Sequence, residues 1–222
     1  MAEIDYLPLS QYIEYSPEDM KRRAISFLHM IQRRHSVRSF SKRPVPIEAI
    51  KTCVSAAATA PSGANKQPWH FVVVSDNEIK RQIRHASEEV ERELYNKRAS
   101  AEWLKALTPL KTGANKAFLE MAPCIIAVFA EKYKIMPDGT KEMNYYVKES
   151  VGIAVGILIT AFHHTGLVCL PYTPSPMRFL NKILKRPESE RPFLLLVVGY
   201  PADSVKVPNL SKKTLDQIST FI

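Results

Sequence analysis

Two guanidinium groups and a hydroxyl recur at alternate positions in the segment Arg34-His35-Ser36-Val37-Arg38. In an extended segment alternate side chains point the same way, so Arg34, Ser36 and Arg38 can converge on one anion. Guanidinium groups bind phosphate oxygens through paired, charge-assisted hydrogen bonds. The segment therefore predicts a phosphate site. The alternative is a basic loop whose side chains are only solvated.

Two short turns can present polar groups to a flat ligand. In Pro61-Ser62-Gly63-Ala64 the lack of a side chain at Gly63 lets the backbone N–H groups and the Ser62 hydroxyl approach a ligand closely. The segment Pro171-Tyr172-Thr173-Pro174 ends an apolar stretch, and a rigid turn there can direct the Thr173 hydroxyl into a cleft. Each segment alone also fits an ordinary loop.

Several other chemistries lack the residues that they need. The 7 glycines form neither GxGxxG nor GxxxxGK[ST], which excludes the Rossmann and P-loop fingerprints. The 6 histidines show no HExxH spacing, so we expect no metal site. Cys53, Cys124 and Cys169 are odd in number, widely spaced and surrounded by apolar residues, which predicts buried thiols rather than disulfides.

The composition is that of a globular protein with a surplus of positive charge. Of 222 residues 45% are hydrophobic, which excludes wholesale disorder, and 31 Lys and Arg against 22 Asp and Glu give a formal net charge of +9. No zinc finger, RNP pattern or long basic run accompanies this charge, so we expect no nucleic-acid partner. The charge suits any anion, including a cofactor phosphate.

We expect no membrane association and a cytoplasmic location. The longest apolar stretch, residues 151–162, is shorter than the roughly 20 residues that cross a bilayer. The N-terminus opens Met-Ala-Glu-Ile-Asp, without the basic and apolar regions of a signal peptide.

Apolar strands alternate with helical segments along the chain. Buried strands are predicted near 71–74, 123–129, 167–170 and 193–198, and helices near 17–33, 46–58, 142–165 and 176–185. The alternation predicts an α+β or α/β sandwich. The middle of the helix at 142–165 is apolar all round, so we expect a core helix or a second subunit to cover it.

Two segments contain too few apolar residues to pack as independent units. Residues 77–107 are highly charged and helical in propensity, which predicts a solvated, loosely attached lid. The segment from Tyr200 to the end is expected to lie across another surface, such as a partner subunit. Because no repeat or linker divides the chain, we expect one domain over residues 1–222.

The order of these motifs resembles the nitroreductase-like flavoprotein superfamily. The Arg-x-Ser-x-Arg segment is followed by Pro61-Ser62-Gly63-Ala64-Asn65-x-Gln67-Pro68-Trp69 and, near the end, by Gly199-Tyr200-Pro201. The resemblance implies an α+β three-layer sandwich, in which helices flank a mixed or antiparallel central sheet. It also implies an intertwined homodimer that binds FMN, with residues 200–222 extending over the partner subunit.

The resemblance assigns contacts with the FMN phosphate and ribityl chain to four neighbouring residues, Arg34, His35, Ser36 and Arg38, with His35 acting through its backbone. Lys212 would lie near the phosphate. Relatives tend to carry Arg at that position, so the contact here would be a point charge rather than a fork.

The isoalloxazine ring is assigned to two further segments. Pro61, Ser62 and Gly63 would pack on the ring or hydrogen bond to it. Thr173 would hydrogen bond to flavin N5 and favour single-electron steps over hydride transfer. The backbone at Ala64 would meet the phenolate oxygen of a substrate.

Within the superfamily the sequence is most similar to the iodotyrosine deiodinases. The likeness includes residues 60–64, 91–116, Tyr145-Tyr146, Thr173-Pro174 and 215–218. In those enzymes a mobile lid, here about 88–116, grips the amino acid part of the substrate. The positions that match are Glu91, Tyr95 and Lys116.

These residue types suit an amino acid zwitterion. Glu91 and Tyr95 lie four residues apart and share a helix face, where the carboxylate can take an ammonium group. The phenol and the Lys116 ammonium can take a carboxylate. The resemblance thus implies FMN-dependent reductive dehalogenation of mono- and diiodotyrosine to tyrosine and iodide. Thr173 would be catalytic, and an external donor such as an NAD(P)H-linked reductase would supply electrons.

Three alternatives stay open at this point. The first is an NAD(P)H-dependent nitro or quinone reductase of the same fold. The second is the flavin-fragmenting synthase of dimethylbenzimidazole, which has no use for an amino acid clamp. The third is a non-catalytic flavin-dependent sensor of halotyrosine.

Overall fold

The computed structural model describes residues 6–110 and 112–222, and the chain divides into two compact units between Arg34 and His35. The first unit contains helix α1 (Pro17–Gln32). Its first turn is stabilised because the Ser16 hydroxyl accepts a hydrogen bond from the Asp19 N–H at 3.2 Å and Pro17 stands at the first helical position. No residue of α1 is buried within this unit.

The second unit, His35–Ile222, contains the remaining elements. Its helices are α2 (Ile47–Ala57), α3 (Asn77–Glu93), α4 (Ala101–Leu107), α5 (Phe118–Met121), α6 (Val147–His164) and α7 (Phe179–Ile183). Its strands are β1 (Trp69–Val74), β2 (Cys124–Glu131), β3 (Tyr133–Ile135), β4 (Lys141–Met143), β5 (Val168–Tyr172) and β6 (Glu190–Gly199). Single helical turns occur at Gly63–Asn65, Leu94–Arg98, Thr108–Leu110 and Leu215–Gln217.

The main sheet has the order β1-β2-β6-β5, and each neighbouring pair is antiparallel. Strands β2 and β6 are central, and the first seven residues of β2 are all buried. A strand buried on both faces reads as a continuous apolar run, which is why the sequence predicted it without difficulty.

Alternate residues of the central strands face two separate apolar layers. On one face, Ile126 and Leu196 pack with residues of α2 and α6. On the other face, Ile125 and Leu195 pack with residues of α3, α5 and α7. Because successive side chains of a strand point to opposite faces, the sheet lies between two helical layers. The predicted α+β three-layer sandwich is confirmed, and its sheet is antiparallel.

One predicted boundary is wrong for a local reason. The helix expected from 142 begins at Val147, because Lys141–Met143 instead pairs with Tyr133–Ile135 in a two-stranded hairpin. The turn between these strands contains Gly139 at φ 81°, a left-handed conformation that glycine adopts without strain.

Helix α6 leaves one apolar face exposed within the second unit. Val151, Leu158 and Phe162 are buried, whereas Gly152 and Gly156 are exposed and Ile153 is 47% exposed. The helix is therefore covered by this unit on one side only. The expectation that a core helix or second subunit covers the rest stays a prediction.

The segment 200–222 is attached at its start. The Ser41 N–H donates to the Tyr200 carbonyl at 2.9 Å, and the Ala202 N–H donates to the Ser39 carbonyl at 3.1 Å. From Asp203 onward the residues are exposed or half-buried, including Ile218 at 66% and Phe221 at 81% exposure. Across residues 6–110 and 112–222, no helix combines the length and apolar character needed to span a bilayer.

The last residue of β6 permits a close approach that a side chain would block. A Cβ added at Gly199 would lie 2.6 Å from Pro123 Cδ and 2.9 Å from Pro123 Cγ. We expect Gly199→Ala to lower the free energy of unfolding by about 1–3 kcal/mol, as overpacking of a core does. Urea unfolding followed by circular dichroism measures this change.

Gly113→Ala is the matched control, because nothing lies within 4 Å of a Cβ added there. Its unfolding midpoint should stay near the wild-type value. Equal stability of the Gly199→Ala and Gly113→Ala variants would show that the contact at Pro123 relaxes without cost.

Candidate active site

A buried ion pair joins the two ends of the segment that the sequence identified as a lid. Lys116 Nζ lies 3.2 Å from Glu91 Oε2, and the two side chains are only 4% and 7% exposed. Glu91 lies near the C-terminal end of α3, whose buried face also contains Lys80, Ile83 and Ser87 at helical spacing. Lys116 precedes α5. The pair thus closes the chain between these positions into a loop.

The surroundings of Lys116 favour binding of a negative group. Burial lowers the pKa of Lys116 below its ordinary value, although the Glu91 carboxylate opposes that shift, and the nearby positive charge of Arg38 lowers it further. The Nζ atom lies 5.8 Å from the centre of the Tyr95 ring and 5.2 Å from that of Tyr172. A cation in this position gains from an additional anion because its own desolvation is only partly offset.

Tyr172, the last residue of β5, connects the sheet to this pair. Its hydroxyl donates a hydrogen bond to Glu91 Oε1 at 3.0 Å. Burial and the adjacent Glu91 charge raise the pKa of Tyr172 above its ordinary value, so the phenol stays neutral and acts as the donor. The ring packs edge-on against Phe118, with centroids 5.6 Å apart.

A second set of contacts anchors the backbone at Lys116. The Lys116 N–H donates to Glu88 Oε1 at 2.8 Å, and Arg84 Nε donates to the same oxygen at 2.7 Å. Arg84 Nη1 also donates to Glu120 Oε2 at 2.6 Å. Burial opposes the ionisation of Glu88, but the bonds from Arg84 and Lys116 outweigh it and lower the pKa of Glu88. This network fixes the second end of the loop on α3.

Between these two attached ends, the segment 92–115 packs only loosely against the rest of the second unit. None of its described residues is buried, and Trp103 is 48% exposed. Arg98 Nη2 donates to the carbonyl of Ser175 at 2.6 Å, which ties the segment to the turn after β5. The lid expected over about 88–116 is therefore attached firmly at both ends, whereas its middle is exposed. Its mobility stays a prediction.

The segment with alternating Arg and Ser lies against the start of β5. Ser36 forms a parallel bridge with Cys169, and the Val37 N–H donates to the Cys169 carbonyl at 3.2 Å. Val37 is buried, while Ser36 and Arg38 are half-buried, as expected for alternate sides of an extended segment. His35 is exposed, and Arg34 ends the first unit, where it is half-buried.

Thr173 directly follows β5 and is exposed. It lies between Tyr172, which contacts Glu91, and Ser175, which contacts Arg98. One strand end therefore brings the candidate flavin contact beside two attachment points of the lid. Lys212 is exposed in the segment 200–222, and its role at a phosphate stays a prediction.

The loop 61–67 is held in an unusual conformation. Ala64, Asn65 and Gln67 have φ values of 49°, 52° and 48°, which non-glycine residues seldom adopt. Ser62 Oγ accepts a hydrogen bond from the Gln67 N–H at 2.9 Å, which leaves its own proton free to be donated. Such strain is typical of loops whose backbone groups must face a ligand.

This loop contacts strand β4 and the residue that precedes α6 rather than the lid. A Cβ at Gly63 would lie 2.8 Å from Tyr146 Cδ2, and Lys66 forms an ion pair with Glu142. Within the part of the chain that the structure describes, the loop forms no hydrogen bond or ion pair with the lid pair. Apart from Lys212, the predicted residues of the second unit thus fall into two groups, one along β5 and the adjoining ends of the lid, and one at loop 61–67.

The donor groups fit FMN in chemical type. Arg38 and Ser36 supply a guanidinium and a hydroxyl on one side of an extended segment, which suits a phosphate or a ribityl chain. Loop 61–67 supplies a hydroxyl proton at Ser62 and strained backbone near Ala64, which suit the polar rim of a flat ring. The chemical types of these groups therefore suit the two ends of the cofactor.

The cavity found in the second unit lies apart from these residues, and no group of side chains suits a metal ion within residues 6–110 and 112–222. A cavity of about 650 Å³ is lined by parts of α2, β1 and α3, among them Ile50, Val73 and Lys80, and none of the predicted site residues lines it. In the ranges 6–110 and 112–222, no three His, Cys, Asp or Glu side chains could jointly hold a metal ion.

Four residues that contribute to the site were not identified from the sequence. Tyr172 was noted only as part of a rigid turn, and its contact with Glu91 spans 81 positions of the chain. Arg84 and Glu88 stand four apart on α3, a spacing that could have identified them as an ion pair. Arg98 gives no such signal, because its partner is a backbone carbonyl distant in sequence.

The Glu88 network makes the lid anchor sensitive to acid. A carboxyl group with a lowered pKa stabilises the fold fully above its ordinary pKa near 4.5, and this stabilisation is lost as the pH falls from there through the lowered pKa of the folded protein. We expect Glu88→Gln to unfold at lower urea concentration than wild type at pH 7, and this difference to shrink progressively as the pH falls below 4.5. Glu89→Gln, at an exposed neighbouring position, is the control. A difference independent of pH would remove the charge of Glu88 from this account.

The family model for the nitroreductase family matches residues 31–200. The chain is 54% identical over 200 residues to an iodotyrosine deiodinase of Haliscomenobacter hydrossis, an alignment that covers 90% of each chain. It is 39% identical to iodotyrosine deiodinase of Nematostella vectensis, over 97% of this chain and 83% of that one. For iodotyrosine deiodinase 1 of Homo sapiens the identity is also 39%, over 99% and 76%.

The fold matches that of solved flavoproteins. A crystal structure of oxidized iodotyrosine deiodinase bound to FMN and 3-iodo-L-tyrosine superposes with a TM-score of 0.76 at 33% identity, covering 88% of this chain and all of that one. A BluB-like flavoprotein from Clostridium difficile superposes with a TM-score of 0.66 at 23% identity, which shows a shared fold alone. By these matches the chain belongs to the nitroreductase family and, within it, to the iodotyrosine deiodinases.

Proposed function

We propose that this protein is an FMN-dependent enzyme that removes iodide reductively from mono- and diiodotyrosine. The buried ion pair between Glu91 and Lys116 carries the proposal. It places one negative and one positive group together beside Tyr95, where an amino acid zwitterion finds a partner for each of its charges. A general reductase of flat aromatic compounds has no need of this arrangement.

Binding of the zwitterion extends a pair of charges to a set of four. The Glu91 carboxylate takes the substrate ammonium, while Lys116 and the Tyr95 hydroxyl take the substrate carboxylate. The charged form of Lys116 is stabilised most by the substrate carboxylate, because burial disfavours that form before the substrate binds. The lid segment 92–115, which has no buried residue among those described, becomes ordered over the substrate and excludes water.

FMN, when bound, supplies the two electrons that, together with one proton, replace a carbon–iodine bond by a carbon–hydrogen bond and release iodide. Arg34, Ser36, Arg38 and Lys212, with the backbone at His35, hold its phosphate and ribityl chain. Pro61, Ser62 and Gly63 lie against its ring. The net positive charge of +9 favours binding of this anion.

Two residues act at the reacting end of the substrate. Thr173, exposed at the end of β5, presents its hydroxyl to flavin N5 and so tunes the electron transfer. The backbone N–H at Ala64, whose φ of 49° sets the direction of the loop, meets the phenolate oxygen. A hydrogen bond to this oxygen fixes the position of the carbon that carries the halogen.

The site is proposed to be completed in a homodimer. Loop 61–67 and the end of β5 form separate groups within the chain, and a second copy brings one group to the other. The exposed face of α6 around Ile153 and the exposed apolar residues of 203–222 support this arrangement, because both offer apolar surface to a partner. The segment 200–222 would then extend over the partner subunit.

The proposal also includes the source of electrons and the location. An NAD(P)H-linked reductase or a similar donor would reduce the flavin. Cys53, Cys124 and Cys169 are buried and form no disulfide within residues 6–110 and 112–222, which supports a reducing, cytoplasmic environment.

Replacement of Glu91 separates recognition of the amino acid from cofactor binding. We expect Glu91→Gln to bind 3-iodotyrosine about 30-fold more weakly, since loss of one charge from a buried pair costs about 2 kcal/mol, while FMN stays bound. Quenching of flavin fluorescence measures the affinity. Glu93→Gln, exposed on the same helix, is the matched control and should bind as wild type does. Unchanged affinity in Glu91→Gln would refute the proposal that Glu91, Tyr95 and Lys116 form a clamp for the amino acid part of the substrate.

Thr173→Ala should give the complementary result. Its affinity for 3-iodotyrosine is expected to remain within about threefold of wild type, a change below 1 kcal/mol. The reason is that Thr173 is proposed to contact the flavin rather than the amino acid part of the substrate. Iodide release by the reduced enzyme should fall, and reduction of a nitroaromatic compound should persist. Iodide release at the wild-type rate would exclude Thr173 from catalysis.

A further inference from the structure

The hydroxyl of Tyr172 lies beside the ion pair of the site, yet the proposed function gives it no role. Tyr172 is the last residue of β5 and is buried, and its ring packs against Phe118. Its oxygen lies 3.0 Å from Glu91 Oε1. A buried phenol hydroxyl needs a hydrogen-bond partner, and here that partner is the carboxylate of Glu91.

The two carboxylate oxygens of Glu91 have different partners. Oε1 accepts from Tyr172, and Oε2 lies 3.2 Å from the Lys116 ammonium. Each carboxylate oxygen can accept two hydrogen bonds, so Oε1 keeps one acceptor position for a further donor. An oxygen that is already oriented but not fully occupied is suited to receive a second ammonium group.

We propose that Tyr172 is a positioning residue that keeps Glu91 Oε1 away from Lys116 and presents it to the ammonium group of the amino acid substrate. This inference rests on the proposed function. Without the phenol hydroxyl the carboxylate is free to turn both oxygens toward Lys116, its nearest cation. The internal ion pair then competes with the substrate ammonium. Tyr172 thereby sets selectivity for ligands that carry a free ammonium group.

The place of Tyr172 in the fold strengthens this role. Its backbone is fixed in the sheet by the pairing of Tyr172 with Leu195 of β6, a fully buried residue. Glu91, by contrast, lies where α3 leaves the core and the exposed lid segment begins. The hydrogen bond therefore attaches the Glu91 side chain, at the base of the lid, to the central sheet. Thr173 follows Tyr172 directly, so the same strand end positions both Glu91 and the residue proposed to act at the flavin.

The test uses the FMN-loaded protein and two ligands that differ only in the amino group, 3-iodotyrosine and 3-(3-iodo-4-hydroxyphenyl)propanoate. We expect Tyr172→Phe to bind 3-iodotyrosine about tenfold more weakly, equivalent to about 1.4 kcal/mol, and the propanoate as wild type does. Retained flavin and a thermal unfolding midpoint near that of wild type show that the variant folds. Tyr133→Phe, in the β3–β4 hairpin, is the matched control and should bind both ligands normally.

A double-mutant cycle distinguishes positioning from packing. If Tyr172 acts through Glu91, Tyr172→Phe adds little further loss of 3-iodotyrosine affinity in a Glu91→Gln background. Equal weakening for both ligands, no weakening for either, or losses that multiply in the double variant would each overturn the inference. Failure of the proposed function is a separate result, in which the wild-type protein itself neither binds 3-iodotyrosine nor releases iodide from it.

Discussion

The arrangement of the site depends on one buried ion pair. Glu91 and Lys116 are separated by an exposed segment of the chain, yet their charges meet in the interior at 3.2 Å. Burial of two charges is costly, and the cost is recovered only when their remaining hydrogen-bonding positions are satisfied. Tyr172 satisfies one of them, and in the proposed function a zwitterionic ligand would satisfy others. The pair is therefore better explained by ligand binding than by stability alone.

The antiparallel sheet supplies the rigid frame for this pair. Strand β5 is the edge strand beside β6, and three features of the site lie along it. Ser36 pairs with its second residue, Tyr172 ends it, and Thr173 follows it. The contacts of Glu91 with Tyr172 and of Arg98 with Ser175 attach the lid on both sides of Thr173. Two hydrogen bonds thus join the lid to the chain on either side of Thr173.

The fold and the site were predictable from the sequence to different degrees. Continuous apolar runs such as Ile125–Val128 predicted the central strands, because burial on both faces leaves little ambiguity. The β3–β4 hairpin was missed because its strands of three residues are too short to show a pattern. Glu91 and Lys116 were identified as site residues by the family resemblance. Tyr172 was identified only from the structure, because no local sequence pattern relates it to Glu91. The division between loop 61–67 and the lid is likewise a property of the three-dimensional fold.

The most direct test of the account is a single anaerobic turnover. The purified protein, with its flavin reduced by dithionite, is mixed with 3-iodotyrosine while flavin absorbance and iodide are followed, and tyrosine serves as the unreactive control. Reductive deiodination predicts rapid reoxidation of the flavin with one iodide released per flavin. A flavin that stays reduced with 3-iodotyrosine but is reoxidised by a nitroaromatic compound would contradict it and would identify a general reductase instead.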